Sequence, residues 1–342
     1  MSRIQLSHTY DDIISLENLL LAWKEFVVGK RQRKDVQEFE RNLMGNIISL
    51  HNDLKNKAYK HSEYEAFNIS DPKPRNIHKA KVRDRLLHHA IYRILYPFFD
   101  RTFISDSFSC RKNKGTHKAI NRFREFAYKV SKNHHKTAWV LKGDIRKFFA
   151  NIDHEVLKNI LAKYIPDKNI SWLLSQIIDS FYSKSTNFAI AEKVIKGLPL
   201  GNLTSQLLVN IYMNEFDQFA KHKLKAKYYI RYADDFVILQ NDKISLTNSL
   251  QYTEVFLREK LKLELHPDKV FIETVASGVD FLGWILFPDH RVLRTATKHK
   301  MFRGLNGKGG NLNVTESYLG LLSHGNTQQL RNKIPKRNLA QF

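Results

Sequence analysis

Between residues 11 and 60 apolar side chains return every three to four positions, in DDIISLENLLLAWKEFVVGK and again in DVQEFERNLMGNIISLHNDLKNK. That spacing predicts two amphipathic helices. The pattern breaks at DPKPR, residues 71–75, and KAKVRDRLLHHAIYRILYPFF then reads as a basic amphipathic helix that Pro97 is expected to end. At 137–145 the period changes, and TAWVLKGDI is the first strong strand. FFANIDHEVLKNILAKYI and WLLSQIIDSFY read as helices, KGLPLGN as a loop, and TSQLLVNIYMNEFDQFAKHKL, 204–224, as a long helix with a broad apolar face. Two runs of strand formers follow, YYIRYA and FVILQ, with Asp234 and Asp235 between them at the tip of a tight hairpin. ISLTNSLQYTEVFLREKLKLEL is again helical, KVFIET and VDFLGWILF are short strands, and the chain from about 296 is basic and helical with a GKGGN turn.

Composition adds a partner class. Lysine and arginine outnumber the acids 56 to 34, a formal charge of +22 spread along all 342 residues, as expected of a chain that grips a polyanion such as nucleic acid. Aromatic residues at 12% promise a substantial core. No run of apolar residues is long enough to span a bilayer and MSRIQLSHTYDD lacks the apolar stretch of a signal peptide, so no membrane partner and a cytoplasmic location are expected. The single Cys110 permits neither an internal disulfide nor a cysteine-based zinc site, and none of the 15 histidines falls in a HExxH spacing.

Asp-Asp in a hairpin is by itself a common solvated turn. Asp144 changes that reading, because it too ends an apolar strand, AWVLKGD, where an unpaired carboxylate is expensive to hold. Three carboxylates on neighbouring strand ends repel one another unless a divalent cation sits among them. Two magnesium ions about 3.5–4 Å apart, so held, are the device for in-line phosphoryl transfer.

The order of segments resembles the reverse transcriptases from about residue 71 to 290. LKGDIRKFFANIDH resembles their first catalytic block, GLPLGNLTSQLLVNIY the template and nucleotide block, and RYADDFVIL the YxDD hairpin. LKLELHPDKVFI and VDFLGWILF resemble the next two blocks, while KPRNIHKAKVRDRLLHHA and SFSCRKNKGTHKAI resemble the fingers blocks of bacterial enzymes. Group II intron and retron relatives carry PQGxxxSP where this chain reads PLGNLTSQ, a variant that is most similar to the diversity-generating retroelement enzymes. Some phage-defence reverse transcriptases carry similar variants, and an idle RNA-binding scaffold of the same shape is the alternative from another class.

The resemblance implies an α+β right-hand polymerase: a helical extension over 1–60, helical fingers over 61–135, a palm with an antiparallel sheet over 136–290 to which about 165–205 add fingers, and a small helical thumb over 291–342. It implies RNA-templated addition of deoxynucleotides to the 3′-hydroxyl of a DNA or RNA primer, with two Mg2+ ions, or Mn2+ in their place. Asp144, Asp234, Asp235 and the carbonyl of Ile145 are the implied metal ligands. Phe149 resembles the aromatic gate under the incoming sugar; Lys73, Arg75 and Arg83 resemble the triphosphate clamp. Leu200, Gly201 and Gln206 fall in the nucleotide block, Tyr232 near the primer end, and Lys269 where polymerases place a general acid. A structured noncoding RNA and a small accessory protein are the further partners implied.

Overall fold

The structure is a computed structural model that describes residues 4–69, 74–182, 195–307 and 312–334. Residues 11–60 form four helices in place of the two expected: α1 (Tyr10–Ile14), α2 (Leu16–Phe26), α3 (Lys34–Glu40) and α4 (Leu43–Lys55). Ser15 makes the first extra break by leaving helical geometry, and its Oγ accepts from the Asn18 N–H to cap α2. A local side-chain bond of this kind leaves the apolar period intact, so periodicity alone runs straight through it.

A hairpin that the sequence did not announce follows, with β1 (Glu65–Ile69) and β2 (Arg75–Lys79) pairing Phe67 with Ile77. Next, α5 (Val82–Asp100) runs through Pro97, so the expected stop at that proline is corrected. The proline removes one N–H from the ladder, yet Phe98 and Phe99 beyond it are buried in the core and hold the last turn. After α6 (Thr116–Val130) and β3 (Trp139–Asp144), Phe148–Asn151 form a 3-10 turn, and α7 (His154–Ala162) begins only where the Asp153 carboxylate caps Val156. α8 (Lys168–Asp179) starts on Asp167, whose carboxylate also accepts from the Tyr10 N–H at 2.8 Å and so ties the N-terminal helices to the body.

The long α9 (Leu203–His222) leads into β4 (Tyr228–Tyr232) and β5 (Asp235–Gln240); α10 (Lys243–Leu261), capped by Asp242, and β6 (Phe271–Thr274) follow. VDFLGWILF is not one strand but a hairpin, β7 (Val279–Phe281) and β8 (Trp284–Leu286), because Leu282 and Gly283 both take the left-handed conformation, at φ +52° and +85°. β9 (Arg291–Leu293), another unannounced strand, completes that small sheet. α11 (Thr295–Gly307) runs to the first glycine of GKGGN, whose residues 308–311 lie outside the described ones, and α12 (Leu312–Leu322) and α13 (Gln328–Asn332) follow it and end the described chain.

The central sheet is antiparallel in the order β4-β5-β3-β6, so the α+β expectation holds. Pleating sends Leu141, Tyr229, Phe236 and Ile238 into the core shared with α9 and α10, and Val140, Ile230, Val237 and Leu239 into the core shared with α6 and the β7–β9 sheet. Both faces are therefore buried, which is why FVIL reads as an unbroken apolar run. Gly143 stands opposite Phe236, and a Cβ there would collide with the Phe236 ring. Gly143→Ala is expected to lower stability by about 1–3 kcal/mol through overpacking next to Asp144. Urea unfolding tests this, and a variant as stable as the parent contradicts it.

Candidate active site

Asp144 is the last residue of β3 and Asp235 the first of β5, and the two face each other across the ladder. Tyr232 pairs with Asp235, leaving Ala233 and Asp234 as a two-residue turn that lifts the third carboxylate to the same sheet end. Ala233 sits at φ +56°, where an L-residue with a Cβ is strained by roughly 1–2 kcal/mol.

Arg231 holds that turn in place. Its Nη1 donates to the Ala233 carbonyl at 3.0 Å, while Nε and Nη2 each reach an Asp217 carboxylate oxygen on α9 at 2.7 Å. The Tyr229 hydroxyl adds a third bond to Asp217, and Nη2 also meets Ser107 Oγ. Arginine and aspartate alike are fully buried. The pairing is bidentate and nearly every donor has an acceptor, which is the condition under which a buried ion pair repays its desolvation.

The three acids feel one another and their burial. Burial pushes the Asp235 carboxyl up to about 6, with the charges of Asp234 and Asp144 adding to the shift and Lys142 opposing it. Asp234 is raised as well, chiefly by burial, with Lys269 and Arg75 pulling the other way. Lys269 Nζ donates to Asp144 Oδ1 at 3.0 Å. Carboxylate oxygens at a desolvated sheet end fit a hard divalent cation. Among the described residues, however, no three of them converge on a single point as the side chains stand.

A loop joins the 3-10 turn that follows β3 to the hairpin strand β2. Leu198 N–H donates to the Phe149 carbonyl and Gly197 N–H to that of Ile152, while the Leu200 carbonyl accepts from His78 N–H on β2 and Asn202 Nδ2 donates back to the His78 carbonyl. Gly201 lies at φ +102° with Ile77 Cγ2 only 3.0 Å from where a Cβ would be, so glycine lets the loop meet β2. Gln206 sits half-buried in the first turn of α9. Phe149 is half-buried beside the buried Phe148, and Tyr232 is half-buried with its hydroxyl accepting from Thr116 Oγ1. Ile145 is buried and bridges Leu265.

Arg75, at the start of β2, is exposed and acts electrostatically on Asp234. Arg83 is committed elsewhere: its guanidinium bonds Asp53 at 2.5 Å and lies over the Tyr59 ring. Lys73 lies outside the described residues. Three participants escaped the sequence reading: Arg231, Asp217 and Lys142. Arg231 and Lys142 are charges among the apolar residues of strands, in YYIRYA and WVLKGD, and that conflict was the available signal; Asp217, in the more polar NIYMNEFDQF, carried none.

An antiparallel sheet ending in three acids, with helices on both faces and a loop strapped to a hairpin beside it, is the architecture of a right-hand polymerase. The family described as reverse transcriptase (RNA-dependent DNA polymerase) matches over residues 64–286. This chain belongs to that family. It is similar to protein YkfC of Escherichia coli, at 26% identity over 65% of this chain and 64% of that protein, and to the group II intron-encoded protein LtrA of Lactococcus lactis, at 26% over 63% and 44% respectively. The chain thus spans about two thirds and less than half of the length of these relatives. Among solved structures, the C-terminally truncated apo telomerase of Candida tropicalis aligns with a TM-score of 0.48 at 13% identity, over 73% of this chain and 60% of that one.

The folded protein keeps the Asp235 proton up to about pH 6, whereas the unfolded chain releases it near 3.8. Across that window the folded state binds more protons, so without divalent ions stability falls as pH rises from about 4 to about 6 and stays lower above. Asp235→Asn removes that loss. In EDTA near pH 7.5 the variant is expected to be more stable to urea by ~1–3 kcal/mol, with the gap closing near pH 4. An equal gap at both pH values contradicts the assignment.

Proposed function

We propose that this protein is an RNA-directed DNA polymerase that extends a DNA or RNA primer with deoxynucleotides on an RNA template. The observation that carries the reading is the cross-strand pair Asp144 and Asp235 with Asp234 at the adjoining turn, in a chain of the reverse transcriptase family. Asp144, Asp234, Asp235 and the Ile145 carbonyl would hold the two Mg2+ ions, or Mn2+ in their place. Bound there, divalent ions lower the barrier to in-line phosphoryl transfer by favouring both the attacking and the leaving oxygen.

The chain's own residues do the rest. Arg75, together with Lys73, draws the triphosphate from the fingers side, while Arg83 serves through its Asp53 pairing as a support for that region. Gly201 lets the nucleotide loop lie close to β2, and Phe149, Leu200 and Gln206 border the incoming nucleotide. Tyr232 borders the primer end. Lys269, already bonded to Asp144, stands ready as a proton donor to the departing pyrophosphate. The surplus of cations supplies the grip on nucleic acid.

The PLGNLTSQ variant supports a finer reading, an error-prone enzyme of a diversity-generating retroelement that works with a structured noncoding RNA and a small accessory protein. A glutamine at position 200 could bond a correctly placed nucleotide, and leucine has no donor or acceptor. Losing one oriented polar contact narrows discrimination by roughly 1–3 kcal/mol.

Asp234→Asn is expected to abolish primer extension while leaving RNA affinity nearly unchanged, since binding comes from dispersed cations. Extension assays with purified protein decide this, and activity within about tenfold of the parent sinks the polymerase site. Leu200→Gln is expected to lower misincorporation, most visibly opposite template adenine, without stopping synthesis. Sequencing the complementary DNA made by both proteins from one RNA is the test, and an unchanged error spectrum removes Leu200 as the cause.

A further inference from the structure

Lys142 lies two residues before Asp144 on β3 and therefore on the same face of the sheet, opposite Val237 of β5 and Phe271 of β6. It is only 9% exposed. Its ammonium stands 5.4 Å from the centre of the Phe271 ring, and among the described residues it has neither an ion pair nor a hydrogen bond. The acids that feel its charge, Asp235 and Glu273, flank it along the sheet. Its stem is buried while its ammonium has no direct partner, and three unused donors call for an anion.

Direction decides which anion. On the polymerase reading, Arg75 and the loop at 196–202, strapped to β2, would take the incoming triphosphate on their side of the acids. On that reading a primer whose 3′-hydroxyl reaches the carboxylates would run back the other way, past the acid-bearing end of β3 where Lys142 lies. The step from Asp144 to Lys142 is about 6.6 Å along the strand, comparable with one nucleotide of sugar-phosphate backbone.

We propose that Lys142 is a primer-binding residue whose ammonium takes the phosphodiester on the 5′ side of the primer's terminal nucleotide, a contact that rests on the polymerase reading above. A lysine suits this role because a point charge on a flexible stem follows a phosphate without fixing its orientation.

Primer extension on one RNA template tests it with two DNA primers, one natural and one carrying a neutral methylphosphonate at the terminal internucleotide linkage, each with the parent protein and with Lys142→Met. Either change alone is expected to raise the KM for primer-template about tenfold and leave the KM for nucleotide unchanged. The two together are expected to cost no more than one, because they remove the same contact. Losses that multiply, or a rise confined to the nucleotide KM, overturn the contact. So does a parent protein that handles the methylphosphonate at the terminal linkage no worse than one placed three linkages back, a comparison that needs no variant. A parent protein that extends neither primer overturns the polymerase reading, and this contact with it.

Discussion

The buried Arg231–Asp217 pair is the constraint on which the acid cluster depends. It joins the hairpin to α9, and Nη1 of Arg231 holds the Ala233 carbonyl, so the strained residue before Asp234 is stabilised by an interaction made entirely inside the protein. A turn at the surface would be free to relax; this one is tied to the longest helix of the core. Removing one partner would strand the other as a bare buried charge, which costs far more than the pair itself contributes.

On that base, the sheet end concentrates negative charge in a chain that is strongly positive elsewhere. Burial and mutual repulsion raise Asp234 and Asp235, and Lys269, Lys142 and Arg75 approach them from different elements. Stability alone would favour neutral side chains at these positions. Holding acids here costs stability that the surrounding scaffold must supply, the usual relation between a strained site and its support.

The cleft is closed by main-chain bonds as much as by side chains. The loop at 196–202 is held to the 3-10 turn through Phe149 and Ile152 and to β2 through His78, so main-chain bonds tie the hairpin, the acid strand and this loop to one another. Gly201 permits that approach, and Gly143 leaves room for the Phe236 ring under the acids.

The amino-acid sequence by itself determined the class of fold, the three carboxylates and the positions of most core elements, because each is carried by a local pattern: a period of apolar residues, an acid ending an apolar strand, an ordered set of motifs. It did not determine where α1 gives way to α2 or whether α5 survives Pro97, since capping and packing decide those against the local trend. The β1–β2 hairpin and β9 were invisible for a related reason: these short strands gain order from their pairing partners more than from their own residues. Only the tertiary structure decided the use of the charges. Arg83 was read as a ligand clamp and is paired with Asp53; Arg231 and Lys142 were passed over and lie in the core around the acids. A charge is visible in sequence, but its partner is set by which strand register and which helix face bring a second charge within reach, and that information exists only once the chain has folded.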